Sequence, residues 1–216
     1  MLIAFSGLDG AGKSTQIDLL KSYFKQSGET VKLFWSRGGY TPGMQALKNI
    51  MRKSKSSKIP SNHGNSKQRD ESFSNPTVRK IWLSLAILDL ILYYGIYLRF
   101  KSVFGVRVIC DRYIFDTHID FKLNFPQENV EKWLLWKLLL FFAPRPKRHF
   151  VLTIPVEESI RRSALKDEPF PDSEEVLELR LKDYLTFVSE ESFAIHIDGT
   201  KGIDDIHTFI TEEVSK

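Results

Sequence analysis

Nine residues near the start, GLDGAGKST from Gly7 to Thr15, constrain this chain more than any other stretch. A glycine, four residues and then Gly-Lys-Ser is the spacing a loop needs to wrap backbone N–H groups around a polyphosphate. Lys13 then reaches the β- and γ-phosphates and the Ser14 hydroxyl serves Mg²⁺. The flanks agree. Met1 to Phe5 is an apolar run of strand size, and Ile17, Leu20 and Phe24 recur at helical spacing after the loop. Lys13 therefore falls at a helix N-terminus, where unpaired N–H groups and the helix dipole favour an anion. The spacing implies binding of a nucleoside triphosphate, against the plain alternative of a chance glycine turn.

With 216 residues, 42% of them hydrophobic and 27% charged, residues 1–216 are expected to form one domain. The net charge of +4 is concentrated between Arg52 and Lys80, a segment also rich in Ser and Asn. A mobile basic loop at 52–76 is expected, and no nucleic-acid partner. Cys110, the single cysteine, falls in the apolar run Val106 to Cys110, which points to core packing and to a reducing, cytoplasmic setting. A strand beginning at the first residue is expected to leave no room for a signal peptide. Ile81 to Phe100 is about as long as a membrane span but carries Asp89 in its middle. A carboxylate there would cost at least roughly 2.5 kcal/mol, so a central helix buried over most of its circumference is expected, with peripheral membrane contact as the lesser alternative. Trp133 to Phe142 reads as a second packed helix or a subunit interface.

Strand-sized apolar runs, Leu2 to Ser6, Val31 to Trp35, Val106 to Cys110, Phe150 to Ile154 and Phe193 to Ile197, alternate with longer helical patterns. One of these is Glu174 to Glu190, preceded by Asp172 with Glu175 as a capping pair. Strands separated by helices require crossover connections, hence an α/β fold with a parallel sheet covered on both faces. Ligands of such sheets bind beyond the C-terminal strand ends, where the phosphate loop lies. Asp111-Arg112-Tyr113 follows the run VRVIC directly. An acidic residue at such a strand end commonly serves Mg²⁺, and the arginine beside it can clamp a phosphate with a two-point fork.

GLDGAGKSTQ, the DRY after a strand, PVEESIRRSALK and the closing IDGT together resemble the thymidylate kinase family of P-loop nucleoside monophosphate kinases. The resemblance spans most of the chain except Lys48 to Lys80. It implies the P-loop NTPase fold, a five-stranded parallel sheet with helices on both faces, a short lid near 162–173, and often a homodimer. By motif position it implies that Gly7, Asp9, Gly10, Ala11, Gly12, Lys13, Ser14 and Thr15 bind ATP and Mg²⁺. Asp9 would also approach the acceptor's sugar, and Asp111 would share the metal with Ser14. Arg112 and Arg37, the latter in WSRGGYTPG, would bind the acceptor phosphate. Arg162 and Lys166 match the lid's two arginines, and Thr200 the edge of the adenine pocket. Lys166 departs from that pattern, since a lysine neutralises charge but lacks the planar fork.

Larger departures lie on the acceptor side. Three residues beyond the DRY tyrosine the family has serine, followed by an Ala-Tyr-Gln run that holds thymidine. Here stand Asp116, Thr117, Ile119, Asp120 and Phe121. Where an arginine reads the base edge, this chain has Leu88 and Asp89. An ionised carboxylate only accepts hydrogen bonds and cannot replace an arginine facing a carbonyl. Asp89 and Asp116 are thus candidate acceptor ligands, and thymidylate specificity is not expected; for Asp116 and Asp120 the plain alternative is a solvent-facing helix surface. The reading is γ-phosphoryl transfer from ATP to a nucleoside monophosphate or similar phosphorylated small molecule. Two alternatives stand beside it: a kinase of a sugar or other hydroxyl acceptor, and a P-loop ATPase or ATP-sensing regulator.

Overall fold

β1 (Leu2–Gly7) consists of six residues, all buried, and its alternation sorts them between two cores. Ile3 and Phe5 point into one, with Ile17, Leu20, Tyr184, Phe187 and Ile210; Leu2 and Ala4 point into the other, with Leu83, Ile87, Tyr94, Val108 and Leu139. A strand buried on both faces belongs in the middle of a sheet. The computed structural model, which describes residues 1–35, 73–103, 106–166 and 171–216, places it there. With β2 (Val31–Trp35), β3 (Arg107–Asp111), β4 (Arg148–Thr153) and β5 (Ala194–Asp198), the order is β2-β3-β1-β4-β5. Every pair is parallel, with Phe5 opposite Asp111 on one side and Phe150 on the other.

Helices cover both faces: α1 (Lys13–Gln26), α2 (Pro76–Leu90), α3 (Arg99–Val103), α4 (Ile114–Asn124), α5 (Leu134–Phe142), α6 (Val156–Leu165), α7 (Glu174–Glu190) and α8 (Ile203–Ser215). The expected α/β sheet of five strands is present. β3 lies one residue later than expected, so Asp111 ends the strand instead of following it. The capping pair before α7 differs from expectation. Ser173 is the N-cap residue, while the Asp172 carboxylate accepts from Arg180 Nε at 2.7 Å.

The expected burial of 81–100 is also corrected. α2 continues into a π-helical stretch, Ile91–Leu98, and only one face packs, through Leu83, Ala86, Ile87, Leu90, Tyr94 and Leu98. Ile81, Leu85, Leu88, Leu92 and Ile96 recur on the opposite face and are exposed, as are Leu134 and Phe141 of α5. Among the described residues Pro76–Lys101 is the one helix long and apolar enough to cross a membrane by length and composition. Cys110 is buried as expected, and burial pushes its thiol up. Arg37 and residues 52–72 of the expected basic loop lie outside the described residues, as do 167–170 of the expected lid.

Candidate active site at the C-terminal end of the sheet

β1 ends at Gly7, whose φ of 132° and position both demand glycine: a Cβ there would stand 1.8 Å from the Leu152 carbonyl oxygen. Gly12, at φ 91°, is the left-handed N-cap residue of α1, and its Cβ position is open within 4 Å. Between them the chain turns so that α1 begins at Lys13, with Ser14 and Thr15 exposed in its first turn. The free N–H groups of that turn make it an anion site. Lys13 is buried over it and donates to the carbonyls of Gly7 (2.9 Å) and Leu8 (2.7 Å), 3.8 Å from Asp9.

Burial, assisted by Arg112, pushes the Lys13 ammonium down to about 8. A bound triphosphate would raise it again, so ATP binding takes up a proton wherever free Lys13 is neutral. ATP affinity is therefore expected to be flat below pH 8 and to fall by about tenfold per pH unit above it. Calorimetric titration between pH 6.5 and 9.5 checks this, and flat affinity over that range would contradict it.

Arg112 occupies the turn after β3 at φ 72°, the one non-glycine residue with positive φ among the described residues. Its N–H donates to the Phe5 carbonyl at 2.8 Å, tying the turn to β1. Its guanidinium donates through Nη2 to Asp9 Oδ1 at 2.7 Å, so the arginine following β3 meets the carboxylate inside the phosphate loop. Burial raises the neighbouring Asp111 carboxyl, with Lys13 and Arg112 opposing it. Ser14 and Asp111 offer hydroxyl and carboxylate oxygens, the hard donors that suit Mg²⁺.

From the other side α6 covers the loop. The Ser159 hydroxyl donates to the Asp9 carbonyl at 2.7 Å, and Arg162 donates through Nη1 to the carbonyls of Gly10 (3.0 Å) and Gly199 (3.3 Å). Glu158 holds the Arg162 Nε at 2.6 Å, and its hydrogen bonds from Arg161 and Arg162 draw its carboxyl down to about 2. Arg162 thus bridges the loop and the turn after β5. Thr200 lies in that turn, donating from both its N–H (2.9 Å) and its hydroxyl (2.6 Å) to Asp198. Lys166 is exposed at the end of α6.

The acceptor-side carboxylates fare differently. Asp116 and Asp120 do not face solvent; both are buried. Asp116 accepts from Tyr113 N–H at 2.9 Å, Tyr184 at 2.8 Å and Ser6, while Asp120 pairs with Arg180 Nη2 at 2.8 Å. Ile119 and Phe121 belong to the two cores. Asp89 is half-buried on α2 near Tyr93, whose phenol burial, together with Cys110, Tyr97 and Asp89, pushes up to about 12. Ser6, His149, Arg180 and Tyr184 were not singled out in the sequence. Arg180 and Tyr184 lie one turn apart on α7, as Asp116 and Asp120 do on α4, and matched i,i+4 polar pairs were the available signal.

A left-handed glycine loop between the central strand and the first helix of this parallel sheet defines the P-loop NTPase fold. A scan of protein-family models finds no match. The thymidylate kinase of Plasmodium falciparum is 28% identical over 226 aligned positions, covering 99% of this chain and 89% of that protein. That of Thermosipho melanesiensis is 27% identical, covering 97% and 95%. The crystal structure of thymidylate kinase from Ehrlichia chaffeensis matches the fold with a TM-score of 0.59 at 18% identity, over 100% of this chain and 98% of that one. Over nearly its whole length the chain is similar to thymidylate kinases, and these likenesses support a thymidylate kinase-like family.

Proposed function

We propose that this chain is an ATP- and Mg²⁺-dependent phosphotransferase that moves the γ-phosphoryl of ATP onto the phosphate of a nucleoside monophosphate. The observation that carries this reading is the 2.7 Å contact between Arg112 and Asp9, which brings a guanidinium fork to the lip of the phosphate loop. In this reading the loop amides from Gly7 to Thr15, with Lys13, hold the triphosphate. Arg112 and Arg37 hold the acceptor phosphate, and Asp9 and Asp89 lie on the acceptor side. Arg162 and Lys166 neutralise charge on the transferring group, and Thr200 borders the adenine. Ser14 and Asp111 would hold Mg²⁺, which when bound supplies charge neutralisation across the phosphates.

An acceptor phosphate is already anionic, so the reaction needs positioning and charge neutralisation more than a base. The nearby carboxylates support this over a hydroxyl acceptor: Asp9 is engaged by Arg112, Asp116 by Ser6, Tyr113 and Tyr184, and Asp120 by Arg180. Asp116 and Asp120 now bear less on base choice than their sequence positions imply, and the expectation against thymidine monophosphate rests on Asp89. A coupled ADP-release screen of five nucleoside monophosphates and their nucleosides tests the proposal. Monophosphates should release ADP and the nucleosides should not, and Asp111→Asn should depress turnover for all of them. Acceptor-independent ADP release at the same rate would instead favour the ATPase reading.

The exposed apolar rows of α2 and α5 are assigned to a second copy of this chain, in keeping with a cytoplasmic homodimer. Leu92→Glu is expected to convert a dimer to a monomer by light scattering, and a monomeric wild type would exclude it.

A further inference from the structure

Arg112 has two carboxylates within reach. It donates to Asp9 at 2.7 Å, and its Nη1 stands 3.7 Å from Oδ1 of the fully buried Asp116. That same Oδ1 accepts the Tyr184 hydroxyl at 2.8 Å, while Oδ2 accepts the Tyr113 N–H at 2.9 Å and the Ser6 hydroxyl. Ser6 gives its proton to Asp116, so its oxygen accepts from His149 Nε2 at 2.6 Å, which pins the far side of the carboxylate. Tyr184 is fixed in turn by its helix. One turn earlier on α7, Arg180 pairs with Asp120, one turn beyond Asp116 on α4, so two rungs join these helices.

We propose that Tyr184 is a positioning residue for the acceptor: by occupying Asp116 Oδ1, its hydroxyl keeps Arg112 turned toward Asp9 and the phosphate loop. A buried carboxylate that loses a donor draws on another, because leaving it unsatisfied is costly. The guanidinium already 3.7 Å away is the group in reach. Without the tyrosine hydroxyl, Arg112 closes onto Asp116 and withdraws from the acceptor. This rests on the reading of Arg112 as the acceptor-phosphate ligand.

The test is Tyr184→Phe, made in wild-type and Arg112→Ala backgrounds, assayed with whichever of the five nucleoside monophosphates wild type uses fastest. In the wild-type background the acceptor KM should rise about tenfold, with kcat and the KM for ATP within about twofold. In the Arg112→Ala background the same substitution should add nothing, because the effect passes through Arg112. An acceptor KM within twofold of wild type, or equal losses in both backgrounds, overturns the inference. Failure of Arg112→Ala itself to weaken acceptor use overturns the underlying reading instead. A crystal structure of the Tyr184→Phe variant supplies a readout that needs no turnover. Arg112 Nη1 should lie within hydrogen-bond distance of Asp116, and an unchanged 3.7 Å separation overturns the inference. If the variant does not fold, Ser6→Ala loosens the same carboxylate from its other oxygen. It should raise the acceptor KM at least threefold, and an unchanged KM is equally decisive.

Discussion

Replacing Lys13 with alanine is expected to lower turnover by roughly two orders of magnitude or more, the loss that follows removal of one preorganised donor to developing charge. The fold should survive, since the Lys13 ammonium's hydrogen-bond partners are the carbonyls of its own loop, Gly7 and Leu8. Burial of the ammonium is in fact unfavourable to the free protein. Its folded pKa, about 8, lies below the ordinary lysine value of 10.5, so the folded chain binds fewer protons than the unfolded one between those pH values. Stability therefore rises with pH across that window, and below pH 8 the buried charge costs up to about 3 kcal/mol. Lys13→Met, which fills the space without the charge, should melt higher than wild type at pH 7 while being as inactive as Lys13→Ala. Calorimetry and steady-state turnover on the same samples measure both. Retained turnover would remove the phosphate loop from the mechanism, and a lower melting temperature would refute the cost assigned to the buried ammonium.

Arg112→Ala is expected to weaken acceptor use by about 1.5 to 3 kcal/mol, roughly 10- to 150-fold in kcat/KM, with ATP affinity nearly unchanged. The loss has two physical parts. The charge-assisted bonds to the acceptor phosphate go, and Asp9 loses its guanidinium partner, leaving more of its negative charge facing an incoming anion. Arg112→Lys should fall between the two, because an ammonium restores charge and not the two-point geometry. Nucleoside monophosphates should beat their nucleosides in wild type, and the alanine variant should narrow that preference. Thymidine monophosphate is expected to be no better than average; a clear preference for it would show that Asp89 has been over-read. Equal use of phosphorylated and unphosphorylated acceptors by wild type would remove Arg112 from acceptor binding.

The phosphate loop was legible in the sequence because its function is a backbone property. Glycines at fixed spacing permit left-handed turns wherever they occur, and a strand before them and a helix after them are local patterns. The inner strands β1, β3 and β4 were legible for a similar reason, since strands buried on both faces read as continuous apolar runs, while the edge strands β2 and β5 were legible from their β-branched and aromatic residues although most of those are not buried. Their frames slipped by one or two residues, as at β3 and β4, because end pairing is fixed by neighbours such as Ile3 opposite Arg148. Local periodicity carries no such information. The burial of 81–100 failed differently. An apolar run reports that a helix avoids water, and it does not say whether the cover is this chain or a partner.

The charged residues mark the boundary most sharply. Sequence alone supplied Asp9, Arg112, Arg162, Asp116 and Asp120 as types at positions, and the helical spacing of the last two fits a solvated face as well as a buried one. Only the tertiary structure set Arg112 against Asp9, laid Arg162 over Gly10, and paired Asp116 with Tyr184, 68 residues later. A motif specifies what a backbone can do within a few residues. A buried ion or hydrogen bond is stable only where elements far apart in sequence pack to desolvate and satisfy it together, and that condition is met by the fold as a whole.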